Sequence, residues 1–130
     1  MDVLLSIKPR YVKSIIDGEK RYEFRKSIFK HPDISRVYIY ASSPVKMIVG
    51  SFEIGDILVD RPADLWENVK DYAGIDNRDF FDYFAGKSRA FAIEIQDLQE
   101  FPDPIDPRET IPGFVPPQSY CYVDGLPTGE

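Results

Sequence analysis

The sequence predicts an α+β fold, a small and partly closed mixed β-barrel with short helices packed outside it. Three observations support this fold class. The predicted elements follow the order β-α-β-β-β-α-α-β-β, which lacks the strand–helix alternation of a doubly wound parallel sheet. The helical segments are short. One long strand contains Gly50 and Gly55, and isolated glycines within a strand indicate the bulges or bends that close a small barrel.

The chain begins with a predicted strand, helix and strand. Residues 3–9, VLLSIKP, form an aliphatic run that ends in a proline, as is typical of a buried strand. Pro9 can occupy the first turn of the helix, where its missing N–H costs nothing, and Gly18 is a typical helix stop. The segment 20–26, KRYEFRK, then predicts the second strand.

Two strands and two helices make up the middle of the chain. Alternating residues in 35–44 and the long apolar stretch 45–59 predict strands. An apolar stripe at helical spacing predicts a helix over 62–74. A second short helix is predicted over 76–86, with Asp76 as its N-cap.

The C-terminal third returns to strand patterns around a proline-rich stretch. Alternation over 88–101 predicts one strand, and residues 119–123, SYCYV, predict the last. The six prolines within 101–117 are interpreted as an ordered or semi-ordered surface connection inside the domain. We therefore expect residues 1–130 to form a single domain.

Composition favours a soluble protein of the cytosol. The one cysteine, Cys121, cannot form an internal disulfide, which fits a reducing compartment. The N-terminal segment has neither the basic region nor the long apolar run of a signal peptide or a membrane span. No membrane partner and no cofactor are expected.

Charge is distributed unevenly along the chain. The net charge is −6, yet the first thirty residues contain eight basic and four acidic side chains, while the other hundred contain eight basic and eighteen acidic ones. This asymmetry is compatible with one basic face on an acidic body, which could meet a polyanion. The alternative is that the charges are scattered over a solvated surface.

Several kinds of chemistry are disfavoured by residue type. One histidine, His31, and one cysteine cannot supply an ordinary zinc site, and no calcium loop is present. Neither Gly50 nor Gly55 is followed by the Lys-Ser or Lys-Thr of a phosphate-binding loop. A Cys121–His31 nucleophile pair can be drawn, but a cysteine in the apolar run YCYV is usually inert packing.

The strand KRYEFRK is the most informative segment. Alternation places Lys20, Tyr22, Phe24 and Lys26 on one face, and Arg21, Glu23 and Arg25 on the other. One interpretation is a ladder of weak ion pairs on a solvated face. The other is a binding surface, because closure of the barrel would bring further polar side chains from strand ends to the same rim. Those side chains are Lys8, Ser42, Ser43, Gln118, Ser119 and Tyr120.

The segment GEKRYEFR resembles the G-x-K-x-x-E-x-R signature of the ASCH domain family, a branch of the PUA-like superfamily. Its four signature positions are Gly18, Lys20, Glu23 and Arg25. Further blocks are similar to small stand-alone ASCH proteins: LLSIKP, YASSP, VGSFEI, a Leu-Trp helix, AIEI and PQSYCYV. The resemblance extends from residue 3 to about residue 123.

The resemblance implies a small β-barrel with a cleft beside the first helix, facing the signature strand. ASCH and PUA-like domains are expected to bind RNA or nucleotides there, in some cases a modified base. Lys20 and Arg25 would contact a phosphate or a base edge, and Glu23 would accept from an exocyclic amine or orient Arg25. Tyr22 or Tyr120 would stack on the base.

An enzymatic alternative also follows from the resemblance. Some ASCH proteins are amidohydrolases that deacylate an acetylated cytidine nucleoside with a lysine, a threonine and a glutamate. Lys20 matches the lysine by motif, and Glu23 would move the proton. The only threonines are Thr110 and Thr128, far downstream, so Ser42 or Ser43 would have to substitute. A third reading is a protein-interaction role for exposed aromatics in FFDYFAG.

Overall fold

The computed structural model describes residues 1–126, in which six strands form one curled sheet flanked by four short α-helices. A 3₁₀ turn over Lys70–Tyr72 follows the second helix. The elements are β1 (Asp2–Ile7), α1 (Pro9–Ile16), β2 (Tyr22–Arg25), β3 (Val37–Ala41), β4 (Met47–Asp60), α2 (Pro62–Val69), α3 (Asn77–Tyr83), β5 (Ala90–Ile105), α4 (Pro107–Thr110) and β6 (Tyr120–Val123). The predicted α+β class is confirmed.

The sheet is mixed, with the strand order β2-β5-β4-β3-β1-β6. Among the described strands only β1 and β3 pair in parallel, with Ile7 opposite Ala41 at their carboxyl ends. The other neighbours are antiparallel. Arg25, on the edge strand β2, donates to the carbonyl of Ser6 in β1 and to Ser119 just before the other edge strand, β6. The two edges therefore approach each other, and the sheet forms a half-barrel.

The glycines of β4 lie at irregularities, as the sequence predicts. The pairing of β4 with β5 shifts register between Ile48 and Gly50 and again between Ile54 and Ile57, on either side of Gly55. A Cβ atom at Gly50 would lie 2.5 Å from the carbonyl oxygen of Gln99. Such close backbone approach requires glycine, and the bulges that result bend the long strand pair.

The proline-rich stretch differs from its expected form. We expected a surface connection from residue 101, but β5 continues to Ile105, and α4 follows. Ile48 pairs with Ile105 and Gly50 pairs with Glu100, so residues 101–104 lie opposite a single residue of β4. Residues in such a bulge need not donate a hydrogen bond to the neighbouring strand. Pro102 and Pro104, which have no backbone N–H, are therefore tolerated there.

The helices α2 and α3 begin at their sequence signals but end earlier than predicted. Asp76 caps α3 as predicted, accepting a 2.8 Å hydrogen bond from the backbone N–H of Asp79. The helix expected over 62–74 is α-helical only to Val69 and then tightens into the 3₁₀ turn. The second strand is also shorter than the predicted 20–26, because the N–H groups of Lys20 and Arg21 donate to Ser14 and Tyr72 outside the sheet, although Ile95 N–H of β5 still donates to Arg21 O.

Aromatic side chains of α3 belong to the core. Phe80 and Phe84 are buried with Leu65 of α2, and their rings meet the ring of Phe24 in β2 edge to face, at centroid distances of 5.1 and 6.3 Å. The proposal that FFDYFAG presents exposed aromatics to a partner is therefore wrong for these two residues. Within residues 1–126, no helix is long and apolar enough to cross a membrane.

Candidate functional site

One large cleft opens between α1, β2, α3 and the carboxyl ends of β1 and β3. Its volume is about 1090 Å³, which suits a ligand of nucleotide size with room to spare. Eight of the ten side chains that the sequence singles out line this cleft. They are Lys8, Lys20, Glu23, Arg25, Ser42, Ser43, Gln118 and Ser119.

Backbone hydrogen bonds turn Lys20 toward the interior. Gly18 ends α1 with φ of +83°, a left-handed conformation that glycine adopts without strain. The N–H groups of Glu19 and Lys20 then both donate to the carbonyl of Ser14, each at 3.0 Å, and Arg21 N–H donates to Tyr72 O at 2.8 Å. The chain around Lys20 is thus tied to α1 on one side and to the 3₁₀ turn on the other.

Lys20 is a buried amine whose Nζ makes one hydrogen bond within the described residues. Its side chain is only 3% exposed, and Nζ donates to the carbonyl of Ala73 at 2.9 Å. The ammonium also lies 4.4 Å from the ring centroid of Phe24 and 5.3 Å from that of Tyr11, within cation–π range. Burial lowers the pKa of Lys20 to about 8, with Glu23 opposing the shift and Arg25 adding to it. A fraction of this amine is therefore neutral near physiological pH.

Glu23 and Arg25 form a buried ion pair beside Lys20. The two residues are each 7% exposed, and Arg25 Nη2 donates to Glu23 Oε2 at 2.8 Å. Arg25 also donates to Ser6 O at 3.0 Å and to Ser119 Oγ at 3.2 Å. The interpretation of these charges as an ion-pair ladder on a solvated face is wrong, because the closing barrel covers them.

Arg25 has a structural role in addition to its place on the cleft wall. Its terminal nitrogens join β2, β1 and the segment before β6, so that loss of the guanidinium would remove these links between the barrel edges. Its Nε is buried and has no hydrogen-bond partner among residues 1–126. An unpaired buried donor costs about 1–3 kcal/mol and is unusual in a native structure.

The wall opposite β2 is a short loop rich in hydroxyls. Ser42 N–H donates to Ile7 O at 3.0 Å, which ties the loop to the end of β1. Ser43 follows, and the chain returns to β4 through Lys46, whose φ is +57°. Lys46 lines the cleft but is absent from our sequence-based set. A lysine shortly after a Ser-Ser-Pro turn is the only sequence signal that could have indicated it.

The two tyrosines predicted to stack on a base do not line the cleft. Tyr22 packs against the core cluster under α2 and α3. Tyr120 meets Phe29 and Tyr122 edge to face, with centroid distances of 5.8 and 5.7 Å. The cleft is lined instead by Tyr11 of α1, Tyr40 of β3 and Tyr83 of α3. Helix and strand periodicity did not reveal these three, because each also has an ordinary packing role.

The remaining charged lining residues are of both signs, because Arg10 of α1 also lines the cleft. Asp79 and Asp82 of α3 face the cleft, together with Lys26 and Ser27 after β2. The burial of Tyr11 raises the pKa of its hydroxyl, and Asp79 contributes to the rise. The cleft thus has the lysines Lys8 and Lys46 at the ends of β1 and β3 and charges of both signs at α3, where Lys26 Nζ lies 4.6 Å from the ring centroid of Tyr83.

His31 and Cys121 do not form a reactive pair at this site. The backbone N–H of His31 donates to the hydroxyl of Tyr122, and burial in β6 raises the pKa of the Cys121 thiol. Neither residue lines the cleft. Among residues 1–126, no group of three or more His, Cys, Asp or Glu side chains is placed to hold a metal ion.

Sequence comparison relates this site to a known family. Residues 5–104 match the ASCH domain. The chain belongs to the ASCH domain family. The match covers the cleft-lining parts of β1, α1, β2, β3 and α3, and ends before the segment that contributes Gln118 and Ser119.

The relatives of this ASCH domain differ in how much of their length the match covers. An "ASCH domain-containing ribonuclease" of Zymomonas mobilis is 31% identical over 128 residues, which cover 94% of this chain and 84% of that protein. Large ribosomal subunit protein uL22 of Ureaplasma parvum is 24% identical over 105 residues. That match covers 80% of this ASCH chain but only 33% of uL22.

A solved structure has the same fold. The crystal structure of ASCH from Zymomonas mobilis superposes with a TM-score of 0.85 at 32% identity, covering 94% of this chain and 87% of that one. A serine-to-alanine variant of the same protein gives a TM-score of 0.86 at 30% identity. The PUA-like half-barrel expected for this ASCH domain is confirmed.

Proposed function

We propose that the cleft binds single-stranded RNA and encloses one nucleotide of it. The observation that carries the proposal is the convergence of Lys20, the Glu23–Arg25 pair and the loop serines on one cavity of about 1090 Å³. Single-stranded RNA presents unstacked bases that can enter such a pocket, whereas duplex RNA exposes mainly its backbone. A free modified nucleotide has the same base, sugar and phosphate groups, and it would bind the same cleft as a smaller ligand.

The interior side chains are suited to a base and its sugar. Glu23 is fixed by Arg25, so its carboxylate is held ready to accept from an amine or a hydroxyl. Tyr11 and Tyr83 line the two sides of the cleft and supply faces or edges for stacking. Stacking on an aromatic side chain contributes about 1–3 kcal/mol per base.

The binding experiment uses a steric block with a matched control. A 2′-O-methyl RNA hexanucleotide, which resists cleavage, is titrated into the protein and followed by fluorescence anisotropy at low salt. Gln118→Trp fills the cleft mouth and should weaken binding at least tenfold. Gln99→Trp places the same side chain on β5, away from the cleft lining, and should bind like the wild type. Equal binding by both variants would refute the proposal.

A second candidate is cleavage of the bound RNA, favoured by the buried amine of Lys20. The Zymomonas relative is named a ribonuclease. In metal-independent cleavage the 2′ oxygen attacks the adjacent phosphorus, the bond from phosphorus to the 5′ oxygen breaks, and a 2′,3′-cyclic phosphate results. Neutral Lys20, with its pKa of about 8, would take the 2′-hydroxyl proton. The departing 5′ oxygen would take a proton from water.

The amidohydrolase alternative rests on the same lysine. Ser42, Ser43 and Ser119 bring hydroxyls to the cleft wall, while Thr110 lies in α4 and does not line it. Thr128 lies outside the described residues. Incubation with acetylated cytidine and chromatography for released cytidine tests this activity. Release of cyclic-phosphate ends from unmodified RNA, with acetylated cytidine left intact, would favour the ribonuclease.

A further inference from the structure

We propose that Lys8 and the loop of residues 42–46 form a phosphate subsite at the mouth of the cleft. The inference rests on the proposed function and refines it, because it makes a phosphorylated ligand the preferred one over a free nucleoside. The subsite residues are Lys8, Ser42, Ser43 and Lys46, all of which line the cleft.

The parallel pairing of β1 and β3 places these side chains next to one another. Ile7 lies opposite Ala41 in the register, so the next residues, Lys8 and Ser42, leave the sheet side by side. The hydrogen bond from Ser42 N–H to Ile7 O holds the two strand ends together. A lysine and a serine thus reach the same edge of the cleft from two segments that are distant in sequence.

The loop returns Lys46 to the same edge. Val45 N–H donates to Ser42 O at 3.1 Å and Lys46 N–H donates to Ala41 O at 2.9 Å, which closes a tight turn. Lys46 has φ of +57°, an uncommon conformation for a residue with a Cβ. Such residues cluster at functional sites but also occur elsewhere, as at Asp97 of β5 with φ of +48°, so the position of Lys46 on the cleft is what matters here. Here the conformation directs an exposed ammonium to the cleft.

The cations of this edge are not engaged by carboxylates. Among residues 1–126, neither Lys8 nor Lys46 takes part in an ion pair. Lys8 is also the N-cap residue of the eight-residue helix α1, whose first turn has no acidic side chain. The partial positive charge of that helix end adds to the two ammonium groups.

The interior cations are poorly placed to hold a phosphate. Lys20 is buried and donates to Ala73 O. The terminal nitrogens of Arg25 are engaged with Glu23, Ser6 and Ser119. A phosphate dianion or diester would have to displace these contacts. The exposed lysines at the mouth can meet it without such a loss, while the base enters deeper.

The test measures how affinity depends on salt in charge-neutralised variants. The 2′-O-methyl RNA hexanucleotide is titrated at several salt concentrations into the wild type, Lys46→Gln, Lys46→Arg and Lys87→Gln. Lys87 is exposed and lies outside the cleft lining, so its variant controls for net charge. Thermal unfolding of each variant reports whether it folds.

We expect Lys46→Gln to weaken binding roughly tenfold, the usual effect of losing one charge-assisted contact. The slope of log affinity against log salt should become shallower by about 0.7, the value for one phosphate of a single strand. Lys46→Arg should restore most of both quantities, and Lys87→Gln should change neither. Wild-type binding with an unchanged slope in Lys46→Gln would overturn the subsite and leave RNA binding standing.

A second arm separates an RNA strand from a free nucleotide as the source of the phosphate. Nucleoside 5′-monophosphates and the matching nucleosides are titrated into the ¹⁵N-labelled protein. The subsite is supported if monophosphates bind more tightly than nucleosides and if Lys46→Gln removes this difference in affinity. This holds even if the hexanucleotide fails to bind. Equal affinity of both, or binding of neither the nucleotides nor the hexanucleotide, overturns it.

Discussion

Gly74 packs directly against Lys20. A Cβ atom added at Gly74 would overlap the Lys20 side chain, approaching its Cγ to 2.7 Å, and the φ of Gly74 is +63°. The preceding carbonyl, that of Ala73, accepts the hydrogen bond from Lys20 Nζ. The turn at Ala73 and Gly74 thus positions the buried amine of Lys20 and accepts its hydrogen bond. This turn lies more than fifty residues from Lys20 in sequence.

Replacement of Gly74 by alanine should displace Lys20. The added methyl group combines left-handed strain, about 1 kcal/mol, with a clash against a buried side chain. Gly86→Ala is the matched control, because Gly86 has φ of +78° and nothing within 4 Å of its added Cβ. Both variants should lose stability in urea unfolding, but only Gly74→Ala should change the NMR-measured pKa of Lys20. The same pKa in both variants would show that the contact does not position the amine.

The lowered pKa of Lys20 predicts a rise in stability with pH. Lys20 has a pKa of about 8 when folded, against 10.5 for the free side chain. Since the folded value is the lower one, protonated Lys20 destabilises the fold fully below pH 8, and the cost disappears as the pH rises toward 10.5. The free energy of unfolding, measured relative to Lys20→Met, should rise by roughly 3 kcal/mol across this window. A constant difference would contradict the buried environment.

The Glu23–Arg25 pair should contribute far more to stability than exposed pairs of the same length. Glu23→Gln leaves a buried guanidinium without its counterion and should cost about 3 kcal/mol in urea unfolding. The exposed pair Lys70–Glu67 has the same 2.8 Å separation. Glu67→Gln should therefore cost under about 0.5 kcal/mol. Similar losses in the two variants would indicate that solvent reaches the pair at the cleft.

If Lys20 is the base in RNA cleavage, the rate should follow its deprotonation. Between about pH 6 and pH 8 the neutral fraction rises close to tenfold per pH unit and then levels off. The cleavage rate should show the same slope and plateau, with the break near the pKa of about 8. Lys20→Met should remove the activity, and Lys87→Met should retain it. A rate that is flat below pH 8 would assign the base to another group.

Much of the fold could be predicted because its determinants are local. Pro9 and Gly18 delimit the first helix, Asp76 caps α3, and the glycines of β4 coincide with register shifts. The part of β5 that contains Pro102 and Pro104 was not predicted. Only the pairing with β4 shows that residues 101–104 need not donate backbone hydrogen bonds to it. Local propensity favoured a connection there, and tertiary pairing overrode it.

The site was predictable in its residues more than in their roles. The signature places Lys20, Glu23 and Arg25 on one segment, but nothing in it shows that Arg25 connects the sheet edges. Tyr22 was expected to stack on a base, whereas it packs against the core cluster under α2 and α3. Lys46 depends on a left-handed turn between two strands, and a single sequence does not encode that conformation in any recognisable pattern.

The central claim is that the cleft, and no other surface, receives single-stranded RNA. A ¹⁵N NMR titration with the 2′-O-methyl RNA hexanucleotide tests this claim most directly, because backbone amide shifts map the contact residue by residue. We predict the largest shift changes at Lys20, Ser42, Lys46 and Ser119, with little change at Glu53 and Asp97 on the β4–β5 pair. Changes centred on β4 and β5, with the cleft amides unaffected, would contradict the account.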